Sequence, residues 1–225
     1  MADPVLIWVR QNIVRRARTA SMIDLGTVDK LVAAIEDLAR EWQHTPGLIL
    51  TEDDLKCHLM AKFAGIGNLG VPVESADVGV RATAVHAEVP WFDEKDQLRL
   101  RPDITITDPS ALSIRRPMQQ GVPLPRKGFH STGPSVIVEL KLYRGRDGIR
   151  PRALGVIRRD VEKIERLVER ARHQSPGTFL YGIVVVFGKY SGTCSEVNHF
   201  AAQTRDKVKV IVRSAELNRR TGLGV

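Results

Sequence analysis

The chain has 225 residues, 43% of them hydrophobic and 27% charged, and its formal net charge at pH 7 is +8. This is the composition of a soluble globular protein, and no apolar run approaches the ~20 residues that a membrane-spanning helix requires. The N-terminus places an acid before its apolar residues and arginines after them. A secretory signal has the reverse order, so we expect a cytoplasmic protein without a membrane partner.

The basic surplus favours a polyanionic partner such as nucleic acid, with solubility as the alternative explanation of the charge. The chain has two cysteines, Cys57 and Cys194, which lie far apart in sequence and form no CxxC pair. A zinc site built on thiolates is therefore not expected, and both residues are expected to be plain thiols.

The N-terminal part of the chain is predicted to be helical. One helix is expected at 4–18, and a second at 27–43, where apolar residues recur at helical spacing after Thr27, its expected N-cap. A third helix is expected to begin after Thr51, a second N-cap candidate. Three acidic residues follow Thr51 and favour the positive end of the helix dipole.

Strand patterns begin after a glycine-rich loop at 65–80. Alternating residues predict strands at about 82–91 and 97–107, which the turn FDEKDQ joins as a hairpin. Residues 109–134 hold five of the twelve prolines and show little periodicity. We therefore predict a long loop there, of the kind that is usually functional.

The C-terminal half of the chain alternates strands and helices. The predicted elements are a strand at 135–143, a helix at 157–173, a strand at 181–187, a helix at 195–204 and a strand at 208–212. This order predicts an α/β fold with a mixed sheet flanked by helices, and the wholly apolar strand at 181–187 is typical of a central position. We divide the chain into an N-terminal helical extension, 1–48, and a main domain, 49–225, with one continuous domain as the alternative.

Asp103 is the first residue that indicates chemistry. Alternation along 98–107 places it on the polar face of a strand, with apolar side chains on the other face. Pro102 removes a donor from the hydrogen-bond ladder, so we expect the strand to be an edge or bulged there. Bulges often direct a side chain towards a site.

Glu139 and Lys141 project from one face of the strand at 135–143, because they are two residues apart. If this strand pairs with the one that carries Asp103, the two carboxylates converge. At about 4 Å they repel by roughly 4 kcal/mol at an effective dielectric near 20. A divalent cation removes this repulsion and activates a bound water, and Lys141 is positioned to orient that water or to stabilise phosphate charge. The alternative is a structural ion pair between Glu139 and Lys141.

Pro102-Asp103 followed by Glu139-Leu140-Lys141 resembles the signature of the PD-(D/E)XK nuclease superfamily, which has the restriction-endonuclease-like fold. The resemblance covers roughly residues 50–190. It implies that Asp103 and Glu139 bind Mg²⁺ or Mn²⁺ and that an acid on a preceding helix supports the metal. Glu52 is the best match to that acid, because it precedes Leu55 and Leu59 of the buried helix face at helical spacing.

Further residues are candidates for contact with nucleic acid. They are Arg115, Arg116, Arg126 and Lys127 in the proline-rich loop, Arg144 after the strand, and Lys163 on the following helix. An ordinary solvated surface is the alternative for each. His86 and Glu88 share one face of a predicted strand, and Glu88 is a candidate to assist the metal.

Together the residues and the resemblance predict a metal-dependent endonuclease that hydrolyses phosphodiester bonds in DNA and leaves a 5′-phosphate, with RNA as the alternative substrate. Roles in restriction, defence against mobile elements or repair all fit, and a homodimer is compatible with cleavage of both strands. The rival functions are a nucleic-acid-binding protein of the same fold that does not cut, and an α/β protein without a nucleic-acid role.

Overall fold

The computed structural model describes the chain in nine ranges. They are residues 22–92, 98–114, 118–119, 122–123, 130–145, 149–174, 178–190, 195–203 and 208–215. The helix predicted at 4–18 lies outside them. The described helices are α1 (Leu25–His44), α2 (Glu52–Ala64), α3 (Pro151–Gln174) and α4 (Ser195–Ala202). None of these helices combines the length and the apolar character needed to cross a membrane.

Thirteen strands are found in the described ranges. They are β1 (Val73–Glu74), β2 (Arg81–Ala82), β3 (Val85–Ala87), β4 (Trp91–Phe92), β5 (Leu98–Leu100), β6 (Ile104–Thr107), β7 (Leu112–Ser113), β8 (Met118–Gln119), β9 (Val122–Pro123), β10 (His130–Ser131), β11 (Ser135–Tyr143), β12 (Leu180–Gly188) and β13 (Val208–Ser214). Five of them form the main sheet in the order β13-β12-β11-β6-β3. The β11, β12 and β13 strands are parallel, whereas β6 and β3 join antiparallel. The protein is therefore α/β with a mixed sheet, as predicted.

Helices cover both faces of this sheet. Alternate residues of β11 face opposite sides, so Val138 packs with α1 and α2, and Ile137 packs with α3 and α4. The interior strand β12 is buried on both faces, and Trp42 of α1 stacks on its Phe187 with ring centroids 5.2 Å apart. The face of β11 that carries Glu139 and Lys141 is the face covered by α3.

Both described N-terminal helices begin with a capping box. The Asp24 carboxylate accepts from the Thr27 backbone N–H at 2.8 Å, so the prediction that Thr27 caps α1 is wrong. Asp24 is the N-cap, and Thr27 is the third residue of the helix. The Asp24 carboxylate therefore reaches the Thr27 backbone N–H, which has no acceptor within the helix. The prediction of Thr51 as the cap of α2 is confirmed by its bond from the Asp54 N–H at 3.0 Å.

The hairpin predicted over 82–107 is broken into two short ladders. Strand β3 pairs with β6, and β4 pairs with β5, so the single strand predicted at 97–107 is wrong. Residues 101–103 lie between the two strands, where Pro102 has no N–H to donate to a ladder. This interruption removes Asp103 from the regular strand.

The segment predicted as a loop at 109–134 contains several short elements in its described part. A 3-10 turn at Pro109–Ala111 leads into β7, which pairs with β10, and β8 pairs with β9. Each strand has two residues, which is too short for the alternation that predicts a strand from sequence. The proline-rich composition thus accompanies short strand pairs, with no long strand in the described part of this segment.

Gly182 of β12 determines how closely α3 packs on the sheet. A Cβ atom at this position would overlap the Ile164 side chain and lie 3.2 Å from Val208 Cγ2. We expect Gly182→Ala to lower the free energy of unfolding by about 1–3 kcal/mol, because α3 must move outward. Urea unfolding checks this, with Gly47→Ala as the control, since no atom lies within 4 Å of a Cβ there. Equal stability of the two variants would contradict it.

Candidate active site

Among the described residues, the second half of β11 has no strand partner on the side of β6, and the site is built on this open edge. Strand β6 pairs only with residues Ser135–Val138, so the second half of β11 extends past it. Beyond that point, the Leu140 N–H donates to Asp103 Oδ2 at 2.7 Å, and the Leu142 N–H donates to Glu52 Oε2 at 3.1 Å. Alternate N–H groups of a strand point the same way, so the two carboxylates lie side by side. They accept the hydrogen bonds that the carbonyl groups of a neighbouring strand would otherwise accept.

Asp103 reaches this edge through the interruption in its strand. It lies one residue beyond the last ladder pair, Ile104 with Val138, which puts it across from Glu139. On its other side, the Asp103 carbonyl accepts from the Glu88 N–H at 3.0 Å. Glu88 has a φ of 49°, a left-handed conformation that side-chain-bearing residues seldom adopt. The residue that follows β3 therefore adopts a left-handed conformation, and its N–H holds the Asp103 backbone.

Glu139 is a buried carboxyl, 3% exposed, on the face of β11 that α3 covers. Burial raises its pKa to about 7, and the charges of Asp103 and Asp160 act in the same direction. Lys163 of α3 opposes this rise through an ion pair and hydrogen bond to Glu139 Oε1. Near neutral pH, Glu139 is therefore divided between its charged and neutral forms, and a nearby cation favours the carboxylate.

Lys141 lies among carboxylates. Its Nζ donates to the Leu140 carbonyl at 2.8 Å and lies 3.6 Å from Asp160 Oδ2. Burial by itself lowers the pKa of Lys141, but the charges of Asp160, Glu52, Asp103 and Glu139 raise it above its ordinary value. Lys141 is consequently an ammonium ion at neutral pH. In that state it stabilises negative charge and donates hydrogen bonds, and it does not act as a base.

Helix α3 contributes two side chains that cross-pair with the strand. Lys163 pairs with Glu139, and Asp160, three residues earlier, pairs with Lys141. Asp160 Oδ2 is buried, and among the described side chains it is one of two buried atoms that find no hydrogen-bond partner. Asp160 was not among the site residues predicted from the sequence. The sequence did contain one signal for it: Asp160 and Lys163 are one helical turn apart and have charges opposite to those of Lys141 and Glu139 on the strand.

The donor set fits a hard divalent cation. Within the described ranges, no group of three or more His, Cys, Asp or Glu side chains is close enough to hold a metal ion. Mg²⁺ typically takes one or two carboxylates and completes its coordination with water and substrate oxygens, and Mn²⁺ has similar preferences. Asp103 and Glu139 offer two oxygen donors, and the charge of Asp103 adds to burial in raising the pKa of Glu139. A cation relieves that repulsion.

His86 and Glu88 make their side-chain contacts elsewhere. The His86 ring Nε2 lies 2.9 Å from the Thr83 carbonyl oxygen, and burial lowers the pKa of this imidazole, which is therefore neutral at pH 7. Glu88 is exposed and pairs with Lys56 at 2.7 Å. Glu88 therefore contributes to the site through its backbone, and metal binding by its side chain stays a prediction.

The candidate contacts to nucleic acid have different positions. Arg144 is exposed just after β11, and Arg101 is exposed just before Asp103. Lys163 is engaged with Glu139 inside the site and is not an ordinary surface charge. The four loop residues Arg115, Arg116, Arg126 and Lys127 lie outside the described residues. Arg101 and Arg144 are thus two exposed residues close in sequence to Asp103 and Lys141.

Glu52, Asp103, Glu139 and Lys141 are brought together from three separate segments: the start of α2, the break before β6, and β11. The resulting arrangement combines the buried Glu139, the partly buried Asp103 and the exposed Glu52 with a protonated lysine. No protein-family model, no curated protein and no solved structure matches the chain.

Proposed function

We propose that the protein is a metal-dependent nuclease of the PD-(D/E)XK kind with a restriction-endonuclease-like fold. One observation supports this most directly. The carboxylates of Asp103 and Glu52 accept hydrogen bonds from the backbone N–H groups of Leu140 and Leu142. These two groups lie along the same edge of β11, beside Glu139 and Lys141. Acids held this firmly around one lysine make a preorganised site for a cation and a phosphodiester.

Asp103 and Glu139 would hold Mg²⁺ or Mn²⁺, with Glu52 supporting the metal from α2. The bound ion supplies Lewis acidity towards a phosphoryl oxygen and a water of lowered pKa. Lys141, an ammonium ion surrounded by carboxylates, donates hydrogen bonds to the attacking water or to the phosphate oxygens that gain charge. Asp160 holds Lys141 in this charged state from the opposite helix.

DNA is the proposed substrate, with RNA as the alternative. The net charge of +8 attracts polyanions. Arg101 and Arg144 are exposed next to the segments that carry Asp103 and Lys141, and they would contact phosphates of the bound substrate. A homodimer would bring two such sites to the two strands of a duplex.

A nucleic-acid-binding protein that does not cut is the second candidate. It is favoured by the ion pairs of Glu139 with Lys163 and of Lys141 with Asp160, which balance the charges of the site without a metal. These contacts differ from the simple Glu139–Lys141 ion pair expected of a purely structural arrangement. Both candidate functions agree with the positive net charge, and they differ in whether the protein cleaves the nucleic acid that it binds.

Cleavage of plasmid DNA, single-stranded DNA and RNA, with Mg²⁺, Mn²⁺ or EDTA, tests the proposal. We expect cleavage with either metal, none in EDTA, and a rate reduced about 10²-fold in Lys141→Met, because one donor to the developing charge is lost. Lys62→Met is the control, since Lys62 pairs with Asp37 and Glu41 away from the site. Tight DNA binding without turnover under every condition would establish the second candidate instead.

A further inference from the structure

The ammonium group of Lys163 has the surroundings of a bound metal ion. Its Nζ bonds a carboxylate oxygen of Glu139 and donates to the backbone carbonyl of Arg101 at 3.3 Å. Carboxylate and carbonyl oxygens are the ligands that Mg²⁺ and Mn²⁺ take from proteins. Arg101 lies two residues before Asp103, so Nζ also bridges the two segments that carry the candidate metal ligands.

A buried carboxylate needs a positive partner to remain charged. Glu139 is 3% exposed, and Lys163 donates directly to its carboxyl group. Lys163 is fixed on α3, which packs closely on the sheet at Gly182. A lysine is a cation on a flexible four-carbon stem, so the ammonium is able to leave this position without movement of the helix.

An acceptor for the displaced ammonium lies one turn away. Asp160 precedes Lys163 by three positions on α3. Its buried Oδ2 has no hydrogen-bond partner among the described residues, and its ion pair with Lys141 Nζ is long, at 3.6 Å. Side chains three apart on a helix are neighbours, and oppositely charged pairs at this spacing are favourable. The helix therefore offers Lys163 a second carboxylate once Glu139 is occupied.

We propose that Lys163 occupies the cation position of the site in the metal-free protein and that a divalent metal must displace it from Glu139. This inference rests on the proposed function and adds to it a residue that sets metal affinity. Lys163 competes with the metal for one carboxylate, and its hydrogen bond keeps Glu139 oriented until the metal arrives. Removing the lysine charge removes the competitor.

Binding of Mn²⁺ to the full chain, without substrate, tests this. Electron paramagnetic resonance of the free ion gives the Kd. We expect Lys163→Met to lower the Kd by about tenfold or more. Lys163→Gln retains an N–H donor to Glu139 without the charge and is expected to shift the Kd in the same direction. It serves as the test if the methionine variant does not fold.

Lys62→Met is the matched control, because the Lys62 and Lys163 side chains are both 22% exposed and both bond carboxylates. It removes the same charge from the protein and is expected to leave the Kd unchanged. A Kd that is unaltered or higher in the folded Lys163 variants overturns the inference, as does an equal decrease in Lys62→Met. If wild type nevertheless cleaves DNA with Mn²⁺, the proposed function stands. If no variant binds Mn²⁺ and none cleaves, both fail.

Discussion

Asp103→Asn is expected to lower the rate of metal-dependent DNA cleavage about 10³-fold while the protein remains folded. The asparagine carbonyl oxygen still accepts from the Leu140 N–H, the bond that Asp103 Oδ2 makes at 2.7 Å. The substitution removes only the charge that binds the metal. Loss of a metal's electrostatic contribution amounts to several kcal/mol of transition-state stabilisation, and about 4 kcal/mol corresponds to a factor of 10³.

The measurement is the single-turnover rate on plasmid DNA at saturating Mg²⁺, together with thermal unfolding of each protein. Asp108→Asn is the matched control. Asp108 follows the other end of β6, and its carboxylate also accepts from a backbone N–H, that of Ser110 at 3.0 Å. We expect Asp108→Asn to cleave at the wild-type rate. An Asp103→Asn protein that unfolds like wild type and cleaves equally fast would rule out a metal-binding role for Asp103.

Glu139→Gln is expected to remove a large pH dependence of stability. The folded state raises the pKa of Glu139 from 4.5 to about 7, chiefly through burial. Between these values the folded protein binds a proton that the unfolded chain has released, so wild-type stability falls as the pH rises through this window. The full change is on the order of 3 kcal/mol. Glutamine carries no titrating proton, so the variant lacks this decrease.

Urea unfolding in EDTA at several values between pH 5 and pH 8 measures the effect. The stability of Glu139→Gln relative to wild type should rise across this range. Glu88→Gln is the control, because a hydrogen bond and ion pair with Lys56 lower the pKa of Glu88. Glu88 thus adds stability that is lost only as the pH falls below its ordinary pKa, so its substitution should have a constant effect above pH 5. A constant difference for Glu139→Gln would show that its carboxyl is not perturbed by burial.

The long regular elements of the fold could be predicted from the sequence. The predicted strand at 135–143 has the bounds of β11, and the apolar run at 181–187 falls within β12. Their patterns extend over whole strands, and burial on one or both faces determines them. Helix α3 begins at Pro151, six residues before its predicted start: proline suits the first helical position, and Gly155 weakens the helical pattern that follows it.

Parts of the site could not be predicted from the periodicity of apolar residues. The sequence predicted that Asp103 and the Glu139-Leu140-Lys141 segment would meet, and the structure brings them to one edge. It could not predict that β6 begins only at Ile104 and leaves the Leu140 and Leu142 N–H groups to carboxylates. Nor could it predict that Lys163 faces Glu139, because that contact depends on the rotation of α3 about its own axis on the sheet.

The carboxylates on the edge of β11 have a second consequence, which concerns solubility. An exposed strand edge with unpaired N–H groups is a template to which another chain can add a strand, and such addition starts aggregation. Asp103 and Glu52 occupy those N–H groups and place negative charge along the edge. The acids proposed to bind metal therefore also protect the end of a buried, strongly apolar sheet from association with other copies of the chain.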